Sequence, residues 1–141
     1  MANQGEWTMI GGEIRGFLAT PATAPPWPAI LVIHAVLGID HYLEKLIESY
    51  AADGYYAFAP DIYAKDPGYK QHRQEHIEIA AHMGVDPLKQ KEVLSHYPAD
   101  TQAAIMKARD WMSERPGHTY IDTIRASFDR IKSQPEIRAV G

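Results

Sequence analysis

The chain has 141 residues, an apolar share of 45%, a charged share of 23% and a net charge of −4, which predicts one domain over residues 1–141 with a single sizeable core. The acidic balance argues against nucleic-acid or anionic-membrane partners, which call for a basic excess, and no apolar stretch approaches the ~18 residues of a membrane span. Cysteine is absent, which excludes a disulfide framework, a thiolate metal site and a cysteine nucleophile within these residues and fits a reducing cytoplasm.

The first residues, MANQGEWTMIGGEIRG, lack the basic-then-apolar pattern of a secretory signal. Residues 12–19 (GEIRGFLA) partly alternate, and predict an early strand that pairs with residues 7–10 across Gly11-Gly12. TPATAPPWP follows, with four prolines in nine residues. Proline has no amide for a ladder, so a surface loop is expected. Residues 29–34 (AILVIH) form an unbroken apolar, β-branched run, the pattern of a strand buried on both faces.

Asp40 is placed as an N-cap, and Gly54 where a helix ends. Between them Tyr42, Leu43, Leu46, Ile47 and Tyr50 recur at helical spacing. Residues 55–59 (YYAFA) predict a second buried strand, ended by Pro60-Asp61. Strand, helix and strand together imply a right-handed parallel unit. Further on, DPGYK predicts a turn, and residues 72–83, 87–96 and 99–112 predict helices. Pro116-Gly117 is expected to break the last of these. Residues 119–133 predict another helix, with Ile121, Ile124, Phe128 and Ile131 on one face. Residues 136–141 (EIRAVG) look like the opening of a third parallel strand. The expected fold is α/β, a mostly parallel sheet flanked by helices. A chain stopping on entry to such a strand is expected to leave an open sheet edge, which invites pairing with another chain.

The runs GEIRGFLATPATAPPWPAILVIHAVLGID and LIESYAADGYYAFAPDIYAKDPG, with the late SFDRIKSQPEIRAVG, resemble the dienelactone hydrolase family of α/β-hydrolases. The likeness is good over residues 12–66 and 126–141 and vague over residues 67–123. It implies an incomplete α/β-hydrolase fold, the N-terminal portion of such a protein. In the family a sharp strand-to-helix turn of the type GxCxG or GxSxG presents the nucleophile. The resemblance puts that turn after the strand begun at Glu136, with the acid and the histidine later still, all outside these residues. It also implies that the Val36 N–H helps to form an oxyanion hole. At Ala35 the family often carries a glutamate that contacts the resting nucleophile, a contact alanine cannot make.

The remaining candidates each carry a plain alternative. None of Ser49, Ser95, Ser113, Ser127 and Ser133 lies in GxSxG, so a complete serine triad is not expected here. His34, at the C-terminal end of a buried parallel strand, either lines the crevice with Ala35, Val36 and Leu37 or is a hydrogen-bonded structural histidine. Tyr63 and Lys65 follow the next strand, in a loop that the resemblance implies borders the pocket and so brings them within reach of a carboxylate substrate, with Lys65 more readily a surface residue. Asp61 reads as a turn residue, and Trp7, Trp27 and Trp111 as packing. In HRQEH, His72 and His76 would share a helix face and could ligate zinc with Glu75 as base and His82 as a third ligand. The plainer reading is a solvated polar face.

The expected function is therefore a dienelactone-hydrolase-like ester or lactone hydrolase. Its nucleophile, acid and base lie outside this chain, so the chain is inactive alone or completed by a complementary C-terminal chain. No cofactor is expected, and the small-molecule partner is an ester or lactone. The alternatives are a non-catalytic module that forms a homodimer through its open sheet edge, and a zinc hydrolase on His72, Glu75 and His76.

Overall fold

The computed structural model describes residues 4–114 and 118–141, so the expected break at Pro116-Gly117 lies outside the described residues. In chain order the elements are β1 (Glu6–Ile10), β2 (Ile14–Ala19), β3 (Trp27–Leu31), α1 (His41–Ala52), β4 (Tyr56–Pro60), α2 (Gln74–Met83), α3 (Pro87–Leu94), α4 (Ala99–Glu114), α5 (His118–Lys132) and β5 (Ile137–Val140). They form two compact units. Residues up to Ala64 join those from α5 onward in a sheet unit, and the residues from Lys65 through α4 make a helical unit.

The sheet has the order β1-β2-β4-β3-β5. β1 and β2 form the expected antiparallel hairpin, with Ile10 opposite Ile14. Gly11 (φ 61) and Gly12 (φ 74) turn it, and two consecutive positive φ angles are open to glycine without strain. β2 is antiparallel to β4, whereas β3 is parallel to both β4 and β5. The parallel core is thus as expected, and the hairpin on its flank makes the whole sheet mixed.

β3 starts at Trp27, inside the proline-rich segment expected to be loop, and ends at Leu31. The strand tolerates Pro28 for a simple reason. Val32 N–H donates to Phe58 O, so by parity the nitrogen of Pro28 also faces the β4 side. At the register Ala29↔Tyr56, it falls one step before β4 begins, and no rung of that ladder is lost. On the other side Trp27 N–H donates to Glu136 O and Leu31 N–H to Gly141 O. The last rungs are those of Leu31 and Val32, so His34 stands beyond the strand.

β4 is the center of the sheet, and all five of its residues are buried. Its alternate side chains build two cores. Ala57 and Ala59 pack with Phe17, Ala19, Ile47 and Ala51 under α1. Tyr56 and Phe58 pack with Ile10, Ala29 and Ile131 under α5. The small alanines let α1 approach closely, while Phe58 fills the opposite face. Its ring lies over Gly16, where an added Cβ would come within 2.4 Å of the ring and 2.3 Å of Ala59 O. Full burial of such a side chain stabilises the fold by about 1.5–3 kcal/mol.

α1 is capped as expected, since Asp40 Oδ1 accepts from Leu43 N–H at 2.9 Å. The expected apolar face of α5 is only partly buried. Ile131 is sealed, but Ile121 and Phe128 are 51% and 37% exposed, and Ser127 is fully buried instead. The helix is rotated toward Ser127, whose hydroxyl is satisfied by Thr123 O at 2.7 Å and so is buried without an unmet polar group.

In the helical unit α2 packs on α4. Ile77, Ala80 and Met83 are buried on α2, and Ile105 and Ala108 on α4. α3 starts at Pro87 behind the Asp86 cap and buries none of its residues. The helix expected from His72 begins only at Gln74, because His72 is extended (φ −113, ψ 138). Among the described residues no helix is long and apolar enough to cross a membrane.

Candidate functional site

Parallel strands β3 and β4 both run out of the sheet at the same end, and ligands in open α/β sheets bind beyond the carboxyl ends of such strands. The loop after β3 turns sharply. Gly38 N–H donates to Ala35 O at 3.1 Å, closing a β-turn with Val36 and Leu37 at its center. Gly38 takes φ 79, a conformation that favours glycine. Among the described residues the Val36 N–H makes no hydrogen bond.

The loop after β4 braces this turn. His34 is buried, and its ring bridges the two loops. Nδ1 lies 2.8 Å from Ala35 O, and Nε2 accepts from Ile62 N–H at 3.2 Å. Tyr63, 2% exposed, donates its hydroxyl to Val36 O at 3.1 Å. The Tyr63 ring packs edge-on against His34 at 4.9 Å and against Tyr120 at 5.5 Å. Asp61 is a turn residue, as expected. It accepts from Tyr63 N–H at 3.2 Å and pairs with Arg15 at 2.9 Å.

The structure therefore brings His34, Ala35, Val36, Leu37 and Tyr63 together. His34 and Tyr63 are occupied with backbone groups of the loops. Ala35 is exposed, and Val36 and Leu37 are half-buried. Tyr120 and the Ile62 amide belong to this brace although nothing in the sequence marked them. Their part depends on where α5 returns and on how the loop after β4 folds, neither of which leaves a local pattern.

The other candidates fall elsewhere. Lys65 is exposed. All five serine hydroxyls donate to backbone carbonyls three or four residues back, namely those of Leu46, Glu92, Asp110, Thr123 and Arg130. The shared helix face expected for His72 and His76 does not form, because His72 precedes the helix and its ring lies 5.6 Å from that of Trp111. His76 Nε2 is 3.5 Å from Glu75 Oε1, which Arg73 also approaches at 3.1 Å. His82 Nδ1 lies 2.8 Å from Glu78 O. Among the described residues no three His, Cys, Asp or Glu side chains are grouped to hold a metal. Open cavities lie among the described residues of the helical unit. One of about 440 Å³ sits between α3 and α4, and one of about 290 Å³ is lined by residues such as Ile79, Met83 and Tyr97.

Comparison with known proteins bears on the sheet and its braced turn. The sequence model of the dienelactone hydrolase family matches residues 14–136. A candidate carboxymethylenebutenolidase of Synechocystis sp. is 30% identical over 106 residues, which are 74% of this chain and 41% of that protein. YghX of Escherichia coli K12, described as a candidate hydrolase fragment, is 39% identical over 59 residues, 41% of this chain and 50% of its own length. The chain thus spans half or less of these relatives. The crystal structure of a candidate dienelactone hydrolase from Klebsiella pneumoniae is 20% identical, covering 99% of this chain and 57% of that one with a TM-score of 0.39. That superposition is loose. With its family model matched across most of its length, this chain belongs to the dienelactone hydrolase family.

Proposed function

We propose that this chain supplies the oxyanion side of a carboxylic ester or lactone hydrolase, with nucleophile, acid and base carried by a polypeptide segment outside these 141 residues. The observation that carries the reading is the braced turn after β3, which leaves the Val36 N–H unused by any described residue at the carboxyl ends of parallel strands. In acyl transfer a nucleophile adds to the substrate carbonyl, and the carbonyl oxygen becomes an oxyanion. A fixed amide aimed at that oxygen stabilises the charge as it develops. Collapse then breaks the ester or lactone C–O bond, and water releases the acyl group. The engagement of every serine hydroxyl with a carbonyl of the preceding turn supports the view that the nucleophile comes from elsewhere.

Complementation tests this directly. The chain is mixed or co-expressed with the C-terminal part of a relative that carries the nucleophile turn. Lactone or ester hydrolysis that needs both polypeptides, and is lost when the nucleophile of the second is replaced by alanine, supports the reading. Hydrolysis by this chain alone, abolished by replacing one of its own serines, contradicts it.

A second reading is favoured by β5, an edge strand paired on one side with β3. Its free edge suits pairing with a second copy. Sedimentation at rising concentration decides, since a strict monomer rules this reading out.

A further inference from the structure

The bridging hydrogen bonds of the two loops converge on one peptide plane. The peptide between Ala35 and Val36 carries the Ala35 carbonyl on one edge and the Val36 N–H on the other. A trans peptide is planar, so these two groups point in opposite directions, and whatever holds the carbonyl aims the amide. Ala35 O is held by Gly38 N–H at 3.1 Å and by His34 Nδ1 at 2.8 Å. His34 is 5% exposed and is itself held by Ile62 N–H on Nε2 at 3.2 Å. An imidazole that accepts at Nε2 carries its proton on Nδ1, the nitrogen facing Ala35 O. Both contacts therefore agree on one tautomer.

We infer that His34 is a positioning residue for the oxyanion donor. It links the Ile62 amide after β4 to the Ala35 carbonyl after β3, and so fixes the direction of the Val36 N–H. The choice of an imidazole follows from the geometry, because the bridge needs a donor on one side and an acceptor on the other within a single rigid ring. Tyr63 holds the adjoining peptide through Val36 O at 3.1 Å. That peptide is the one whose half-turn separates type I from type II turns, so the two side chains restrain successive peptides of the same loop. His34 then has no need to touch substrate to matter for it.

The inference rests on reading Val36 as the oxyanion donor, but the alignment can be measured without any activity. The probe is the uniformly 15N-labelled 141-residue chain, observed by NMR relaxation and by its imidazole 15N signals. The expected wild-type result is a neutral His34 protonated on Nδ1, with a Val36 order parameter near the rigid-backbone value of about 0.85. His34→Leu and His34→Asn are close in size, but only asparagine keeps a donor where Nδ1 stands. Leucine is expected to lower the Val36 order parameter below about 0.6, asparagine to restore it, and Phe58 in β4 to be unaffected by both. A histidine that merely fills space would give the same Val36 value in the two variants, and that result overturns the inference. So does an Nε2-protonated His34 in the wild type, a measurement that stands even if the leucine variant fails to fold. Loss of Val36 order in His34→Leu alongside failed complementation would retain the brace and refute the proposed hydrolase role.

Discussion

In the sheet unit every residue of β4 is buried, and its two faces are sealed by different helices. In the helical unit α3 buries nothing, and the packing of α2 on α4 rests on five small or medium side chains. A strand covered on both faces constrains each of its residues, whereas a helix packed along one narrow stripe leaves most of its positions free. The motifs that carry the family likeness in the sequence lie in the segments that build the sheet, although the family model itself matches residues 14–136 across both units.

Opening the center of the sheet is expected to have the largest effect. Phe58→Ala is expected to cost about 3–5 kcal/mol, read as a lowered midpoint in urea denaturation, because the ring fills the space over Gly16. A cost under about 1 kcal/mol would mean that the core on this side can collapse around the gap. In the helical unit the contrast lies between a buried and an exposed position. Ile105→Ala is expected to cost about 2–3 kcal/mol, with lost amide-exchange protection in α2, while Leu88→Ala on α3, 79% exposed, stays within about 0.5 kcal/mol of wild type.

Smaller effects test the edges of the sheet unit. Asp40→Ala removes the α1 cap and is expected to cost about 1 kcal/mol, with fraying of the first turn visible by amide exchange. Tyr56 gives a pH signature. Burial raises its phenol above the ordinary value of 10.0, since the charged form is penalised. The folded state therefore favours the neutral phenol. This contribution is complete below the ordinary value and is lost as pH rises toward and through the folded one. Tyr56→Phe should flatten the decline in stability between about pH 9 and pH 11 and change little near neutrality, where it removes only the 3.4 Å contact with Gln134. An unchanged alkaline slope would remove Tyr56 as its source.

Much of the sheet unit was legible because its signals are local. Gly11-Gly12 marked the hairpin, Asp40 and Gly54 bounded α1, and the apolar run YYAFA marked β4. Pro28 misled because its missing donor matters only on a side where a partner exists, and parity decides that. Ile121 and Phe128 misled because helical periodicity shows that an apolar stripe exists but not how far a neighbour covers it. At the site, the position of Val36 came from the resemblance. The brace by His34 and Tyr63 was not legible, because it joins residues 27 or 28 apart through backbone groups that every residue has. The two readings of His34 differed only in what its nitrogens meet, which no sequence pattern encodes.

With the proposed oxyanion-side turn and no nucleophile of its own, this chain is expected to turn over no ester by itself. The most direct measurement is turnover of chromogenic esters and of a dienelactone by the purified 141-residue chain, at high protein concentration. No hydrolysis above the uncatalysed background is expected. Turnover that disappears when a serine of this chain is replaced by alanine would contradict it.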